Sequence, residues 1–160
     1  MKLNHEYAGR LKTCEDIKRY IGGGKGVVTL LSPSGESYTY LYRRPQNNDF
    51  PEDVMFVYVI SSTNGRLYYV GMMTDLNFRC TRASRYLKDS AVVKGATYIS
   101  RMMQYPKLAE ITPMILFHEG ICSVCGRPLT SHKSIKSGIG PKCGKQYVER
   151  LNKCSKWVNQ

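Results

Sequence analysis

Three cysteines near the end of the chain, in "CSVCGRPLTSHKSIKSGIGPKC", have the types and spacing of metal ligands. Cys122 and Cys125 form a C-x2-C knuckle, which lets two thiolates reach one tetrahedral ion from a tight turn. Gly126, next to the knuckle, supplies the backbone freedom such a turn needs. Cys143 is separated from Cys125 by 17 residues, a usual interval before a second ligand group. It falls just inside the start of an expected helix, where the dipole favours a thiolate. The fourth ligand is not fixed by spacing. His118, four residues before Cys122, is the first choice and gives a Cys3His set; His132 in the intervening loop and Cys154 are the alternatives. Cys154 stands about 16 Å along the helix axis from Cys143, which argues against its sharing the ion. Four protein ligands leave no open position, so the Zn2+ expected here is structural.

The rest of the composition supports ligation over disulfide bonding. The N-terminus, "MKLNHEYAGRLKTCED", lacks an apolar signal core, so a cytoplasmic chain with reduced cysteines is expected. No apolar run reaches the ~18 residues a membrane helix needs. With 160 residues and 42% hydrophobic content the chain is expected to be globular with a real core.

Charge points to a partner. Lys and Arg number 24 against 12 acids, a net charge of +12, and the excess is uneven. Residues 1–64 carry 8 basic and 7 acidic side chains; residues 65–110 carry 8 and 3, and residues 111–160 carry 8 and 2. Arg66, Arg79, Arg82, Arg85 and Lys88 lie among Tyr68, Tyr69, Phe78 and Tyr86, a mixture suited to phosphate contact and base stacking. Lys142 and Lys145 extend the basic character into the last helix. DNA, RNA or a nucleic-acid-bound protein complex is the expected partner; no groove-reading helix motif is present.

The elements that must position these groups are legible in outline. Thr13 with Asp16 makes a capping-box pattern for a short helix ended by the glycines at 22–24. "GVVTLLSPSGESYTYLYRRP" reads as a β-hairpin about Pro33, Ser34 and Gly35, with Tyr38, Tyr40 and Tyr42 on one face. A second hairpin, "MFVYVISSTNGRLYYVGMM", turns at Asn64-Gly65. Asp89-Ser90 caps a helix running to about residue 105, whose stripe Val92, Ala96, Ile99 and Met103 faces a core, and Pro106 closes it. "MILFHEG" is a last strand, and a basic helix follows over about 142–158. The expected fold class is α+β: antiparallel hairpins with one or two packed helices. A body over 1–110 then precedes a zinc-ribbon or treble-clef-like module with its basic helix over 111–160.

"HEGICSVCGRPLTSHKSIKSGIGPKCG" resembles a short zinc-finger module found at the C-termini of many bacteriophage and bacterial proteins. The resemblance rests on His118, Cys122, Cys125, Cys143, Gly126, Arg127, Leu129, Thr130, Ser134, Ile135 and the 138–141 turn. It implies a zinc-stabilised fold and a phage or bacterial origin, with action in the host cytoplasm and, by analogy, inhibition of a bacterial defence system. A second stretch resembles GIY-YIG nucleases: Tyr58, then Tyr69-Val70-Gly71, then Asp75-Leu76-Asn77-Phe78-Arg79. That resemblance implies a tyrosine that helps activate water, an arginine on a helix that stabilises phosphate charge, and a later glutamate holding a divalent ion. The binding reading ranks first, and the metal-dependent nuclease is the alternative.

Overall fold

The computed structural model describes residues 5–47 and 49–153, with side chains to residue 149. A single 3-10 turn, His5–Tyr7, leads to β1 (Gly9–Arg10) and α1 (Cys14–Ile21). The capping box at α1 forms as expected: Thr13 Oγ1 accepts from the Asp16 N–H at 3.1 Å, and the Asp16 carboxylate accepts from the Thr13 N–H at 3.3 Å. The two hairpins follow as β2 (Lys25–Leu31) with β3 (Ser37–Arg43), and β4 (Val54–Ile60) with β5 (Leu67–Thr74). Next come β6 (Asn77–Arg79), α2 (Ala91–Gln104), α3 (Pro106–Ile111), β7 (Ile115–His118), α4 (His132–Ser137) and α5 (Pro141–Lys153). The architecture is α+β, as expected. No helix among the described residues is long and apolar enough to cross a membrane.

All strand pairs are antiparallel, and seven strands form one sheet in the order β1-β7-β2-β3-β4-β5-β6. The helices cover one face. Val28, Leu30, Tyr40, Tyr42, Met55, Val57, Val59 and Met73 alternate inward from the strands. They meet Ile17, Tyr20 and Ile21 of α1 and Val93, Ala96, Ile99 and Met103 of α2. Gly95 allows α2 to lie close on the sheet: a Cβ there would sit 2.3 Å from the Tyr40 hydroxyl, which donates to the Val92 carbonyl at 2.7 Å.

Pro106 closes α2, as expected. It forces Tyr105 out of helical geometry (φ −123°, ψ 97°) and then opens α3 at N1, where its missing N–H costs nothing. β7, which follows the expected boundary at 110/111, is an interior strand of the sheet, bonded to β1 on one side and β2 on the other. The segment after Asp75 is a hairpin, not a helix. Asp75 and Leu76 take positive φ (51° and 68°), as a type I′ turn needs, and Thr74 pairs with Asn77 across it. The buried Leu76 holds this uncommon conformation, its carbonyl accepting from Gln104 Nε2 at 2.7 Å and from the Ser100 hydroxyl.

Candidate metal centre and the cleft beside it

The chain leaves β7 through Gly120, at φ +76°, and enters the cysteine loop. An antiparallel bridge between Ile121 and Pro128 closes the loop. The Cys122 N–H donates to the Arg127 carbonyl at 2.8 Å, and the Gly126 N–H, at φ +76°, donates to the Cys122 carbonyl at 2.9 Å. This tight turn is what the C-x2-C spacing predicts. The helix α4 ends on Gly138 (φ +75°), and α5 starts at Pro141, so Cys143 lies in its first turn. Leu129, Ile139 and Tyr147 pack with Cys122 into a small apolar cluster that fixes the helix against the knuckle.

The result is a three-thiol site. The sulfurs of Cys122, Cys125 and Cys143 all lie within 4.8 Å of one another, near the ~3.8 Å separation expected for sulfurs sharing a tetrahedral ion at Zn–S ≈ 2.3 Å. All three are free thiols. Burial pulls the Cys122 thiol upward, but N–H groups of Gly140, Cys125 and Val124 aimed at its sulfur carry it below its ordinary value. The Gly140 N–H lies 3.3 Å from that sulfur. Burial, followed by the neighbouring Cys125 and Cys122 sulfurs, pushes the Cys143 thiol up to about 12. Three adjacent sulfurs cannot all ionise without a compensating cation, so the donor set fits a bound metal ion.

His118 is not brought into this cluster. Its Nε2 is 2.6 Å from the Ile135 carbonyl, and its Nδ1 accepts from the Gly120 N–H at 3.2 Å. Both ring nitrogens are therefore committed to backbone. The ring is fully buried and stacks on Tyr20, with centroids 5.2 Å apart and planes at 25°. Desolvation by burial lowers its pKa, so it is held neutral. His132 is also outside the cluster, exposed at the start of α4. Cys154 lies outside the described residues.

The predicted basic residues are dispersed. Arg79 pairs with Met72, which places it on the sheet face away from the helices. Arg66 and Arg85 gather about Tyr68 at one end of the sheet, with the Arg85 guanidinium 4.5 Å from the ring centroid. Arg82 and Lys88 are exposed in the loop after β6, and Lys142 and Lys145 are exposed on α5.

Tyr58 and Tyr69 do come together. A β-bulge between Val57 and Tyr58 puts Tyr69 opposite Tyr58 while Gly71 faces Val57. Both rings therefore project from the sheet face that carries no helix, 5.7 Å apart and edge to face. Phe56 continues the row, 6.2 Å from Tyr69, and Phe50 packs against Phe56 at 5.1 Å. The Arg43 guanidinium lies 5.5 Å from the Tyr58 centroid.

Charge counting by segment missed a further group. A cleft of about 750 Å³ opens between the cysteine knuckle and this sheet face. Its floor is Val27, Leu41, Phe56 and Tyr58, one wall is Cys125, Gly126 and Pro128, and the other is the loop at 45–47. Lys25, Arg43 and Arg44 line it, and among the described residues no acidic one does. All three come from residues 1–64, where the sequence is nearly neutral, because β2 and β3 carry them to the knuckle.

Residues 117–148 match a family profile described as "Family of unknown function (DUF6011)". The matched segment holds the end of β7, the knuckle, α4 and the first turns of α5. No curated protein and no solved structure matches the chain.

Proposed function

We propose that this protein binds nucleic acid through a basic, aromatic sheet surface, and that a structural Zn2+ held by Cys122, Cys125 and Cys143 braces the module beside it. The observation that carries the reading is the row Phe56, Tyr69 and Tyr58 on a helix-free sheet face, with Arg43 over the last ring. Aromatic rings on a sheet, flanked by cations, are the recurring means of holding bases and phosphates together. The three-thiolate donor set suits Zn2+ among biological metals. The metal has a holding role in this reading because it ties α5 to the knuckle and so fixes the wall that faces the sheet; the described residues supply three ligands, and the fourth position is not assigned. The resemblance to phage and bacterial zinc modules supplies the setting, a host cytoplasm in which the nucleic acid is met free or within a defence complex.

Titrating the purified protein with labelled DNA and RNA at two salt concentrations tests the reading. Affinity should fall steeply with salt, and Arg43→Gln with Arg79→Ala should reduce the salt slope while the fold persists. No binding at low salt would sink it. Adding Mg2+ in the same experiment separates the nuclease alternative, which requires cleavage that Tyr69→Phe abolishes. Its implied helical arginine is displaced here, since Arg79 stands on the edge strand β6.

A further inference from the structure

The basic residues that first suggested a polyanionic partner do not share one surface. The cleft beside the knuckle does bring cations, aromatic rings and a concave wall together, and nothing in the sequence pattern pointed to it. Its volume of about 750 Å³ is within the range of clefts that hold small ligands.

We propose that this cleft is a binding site for single-stranded nucleic acid, in which an unpaired base stacks on the Arg43–Tyr58 pair and the adjoining phosphate lies against Lys25, with Arg44 adding positive charge to the wall. The inference rests on the nucleic-acid reading above and gives it a place and a strand requirement. Charge complementarity selects the occupant: among the described residues three cationic side chains line the cleft and no carboxylate does. A neutral or cationic partner gains nothing from that lining. The rings select further. Tyr58 and Phe56 are half-buried in the cleft floor, so they offer faces from the bottom of a concavity. A duplex keeps its base faces inside its own stack and presents only edges, whereas a single strand can insert a base. Arg43 and Tyr58 already lie face to cation at 5.5 Å, and guanidinium planes and tyrosine rings both stack on bases.

The cleft is also held in shape before anything binds. Arg44 is fixed by its Nε donating to the Glu52 carbonyl at 3.1 Å and its Nη2 to the Gly22 carbonyl at 3.0 Å. The Lys25 N–H donates to the Ser123 carbonyl at 2.7 Å, which locks the start of β2 to the knuckle. A Cβ on Gly126 would touch Lys25 Cδ at 3.8 Å, so the lysine stem runs along the knuckle wall. Walls tied to each other by backbone bonds reduce the ordering cost of binding.

Fluorescence anisotropy with labelled oligo-dT and oligo-U, and with the corresponding oligo-dA/oligo-dT duplex, tests the proposal. The single strands should bind more tightly than the duplex. Tyr58→Leu should weaken single-strand binding about 5- to 150-fold, the effect of removing one base-stacking platform. Arg43→Gln should lower the salt slope by about 0.7, one single-strand phosphate contact. Both variants keep an uncharged side chain over the same strands, and unchanged thermal melting checks that they fold. Single-strand affinity untouched by either variant overturns the cleft assignment while the broader reading stands, as does tighter binding of the duplex. Competition by poly-glutamate as effective as by oligo-dT would mark a plain anion surface and also overturns it. Absence of binding to every nucleic acid removes the broader reading and this one together.

Discussion

The His118 ring decides whether the histidine of the H-E-G-x-C motif is a ligand or a structural post. In the fold its Nε2–H donates to the Ile135 carbonyl at 2.6 Å and its Nδ1 accepts from the Gly120 N–H at 3.2 Å, with the ring fully buried on Tyr20. Truncation to alanine orphans one buried carbonyl and one buried N–H, at about 1–3 kcal/mol each, and forfeits about 0.5–1.5 kcal/mol of ring stacking. The total, roughly 2.5–7.5 kcal/mol, approaches the whole stability of a small domain. His118→Gln is therefore the informative change: its amide can still donate to one partner and accept from the other. It should cost about 1–2 kcal/mol, a fall of roughly 3–8 °C in melting temperature for a chain this long. The metal should be indifferent. Wild type and His118→Gln should each bind one Zn2+ per chain, measured by elemental content after dialysis and by release to a colorimetric chelator, with affinities within about threefold. Removing a true ligand would cost at least the 10–100-fold typical of merely supporting groups. If His118→Gln loses its zinc while Gly9→Ala keeps it, the reasoning is refuted. Gly9→Ala strains the same ring, since its Cβ would lie 2.4 Å from Nε2, but it removes no nitrogen.

Two further outcomes follow from the same packing. His118 has its pKa lowered by burial, so the unfolded chain takes up its proton first as pH drops. Stability should then be lost as pH falls through and below about 6.5, and His118→Gln should flatten this acid limb in urea titrations of chelator-treated protein. Gly95→Ala should be destabilising despite the helix propensity gained, because the new Cβ would meet the Tyr40 hydroxyl at 2.3 Å. Overpacking of about 1–3 kcal/mol against a propensity gain of about 1 kcal/mol leaves a net loss, read as a lower urea midpoint at constant slope.

The features legible from the chain were those whose causes are local. A capping box, a knuckle and a run of alternating tyrosines each involve residues a few positions apart, and all three formed as read. The missed elements are short: β1, β6, α3 and α4 have between two and six residues, too few for a period to show. The surroundings of His118 were illegible for a different reason. Spacing gives His118 a reach along the chain toward Cys122, but the ring's partners are Ile135 and Tyr20, which only the fold supplies. The cleft was hidden by averaging. Lys25, Arg43 and Arg44 sit in a segment balanced by acids, and pairing of β2 with β3 sets Lys25 against Arg43.

The H-E-G motif then has a physical reading as a joint. His118 holds the sheet to α4 through Ile135, and it presses on Tyr20, whose hydroxyl donates to the Ile121 carbonyl at 2.8 Å. Glu119, 1% exposed, is reached by the Thr29 hydroxyl of β2 and by His5 at the N-terminus, so its carboxylate is buried with partners from two distant segments. Gly120 turns the chain into the knuckle at φ +76°. Three successive residues thus fix where the cysteines stand relative to the strands, and Cys143, in the first turn of α5, brings that helix to the other two sulfurs. The cleft lies where those two constraints meet: Cys125 stands in its wall, whereas His118, Glu119 and Gly120 lie outside its lining. A change at Glu119 should therefore alter affinity for a ligand of the proposed cleft without touching it, whereas changes at Arg43 and Tyr58 should act on that ligand directly.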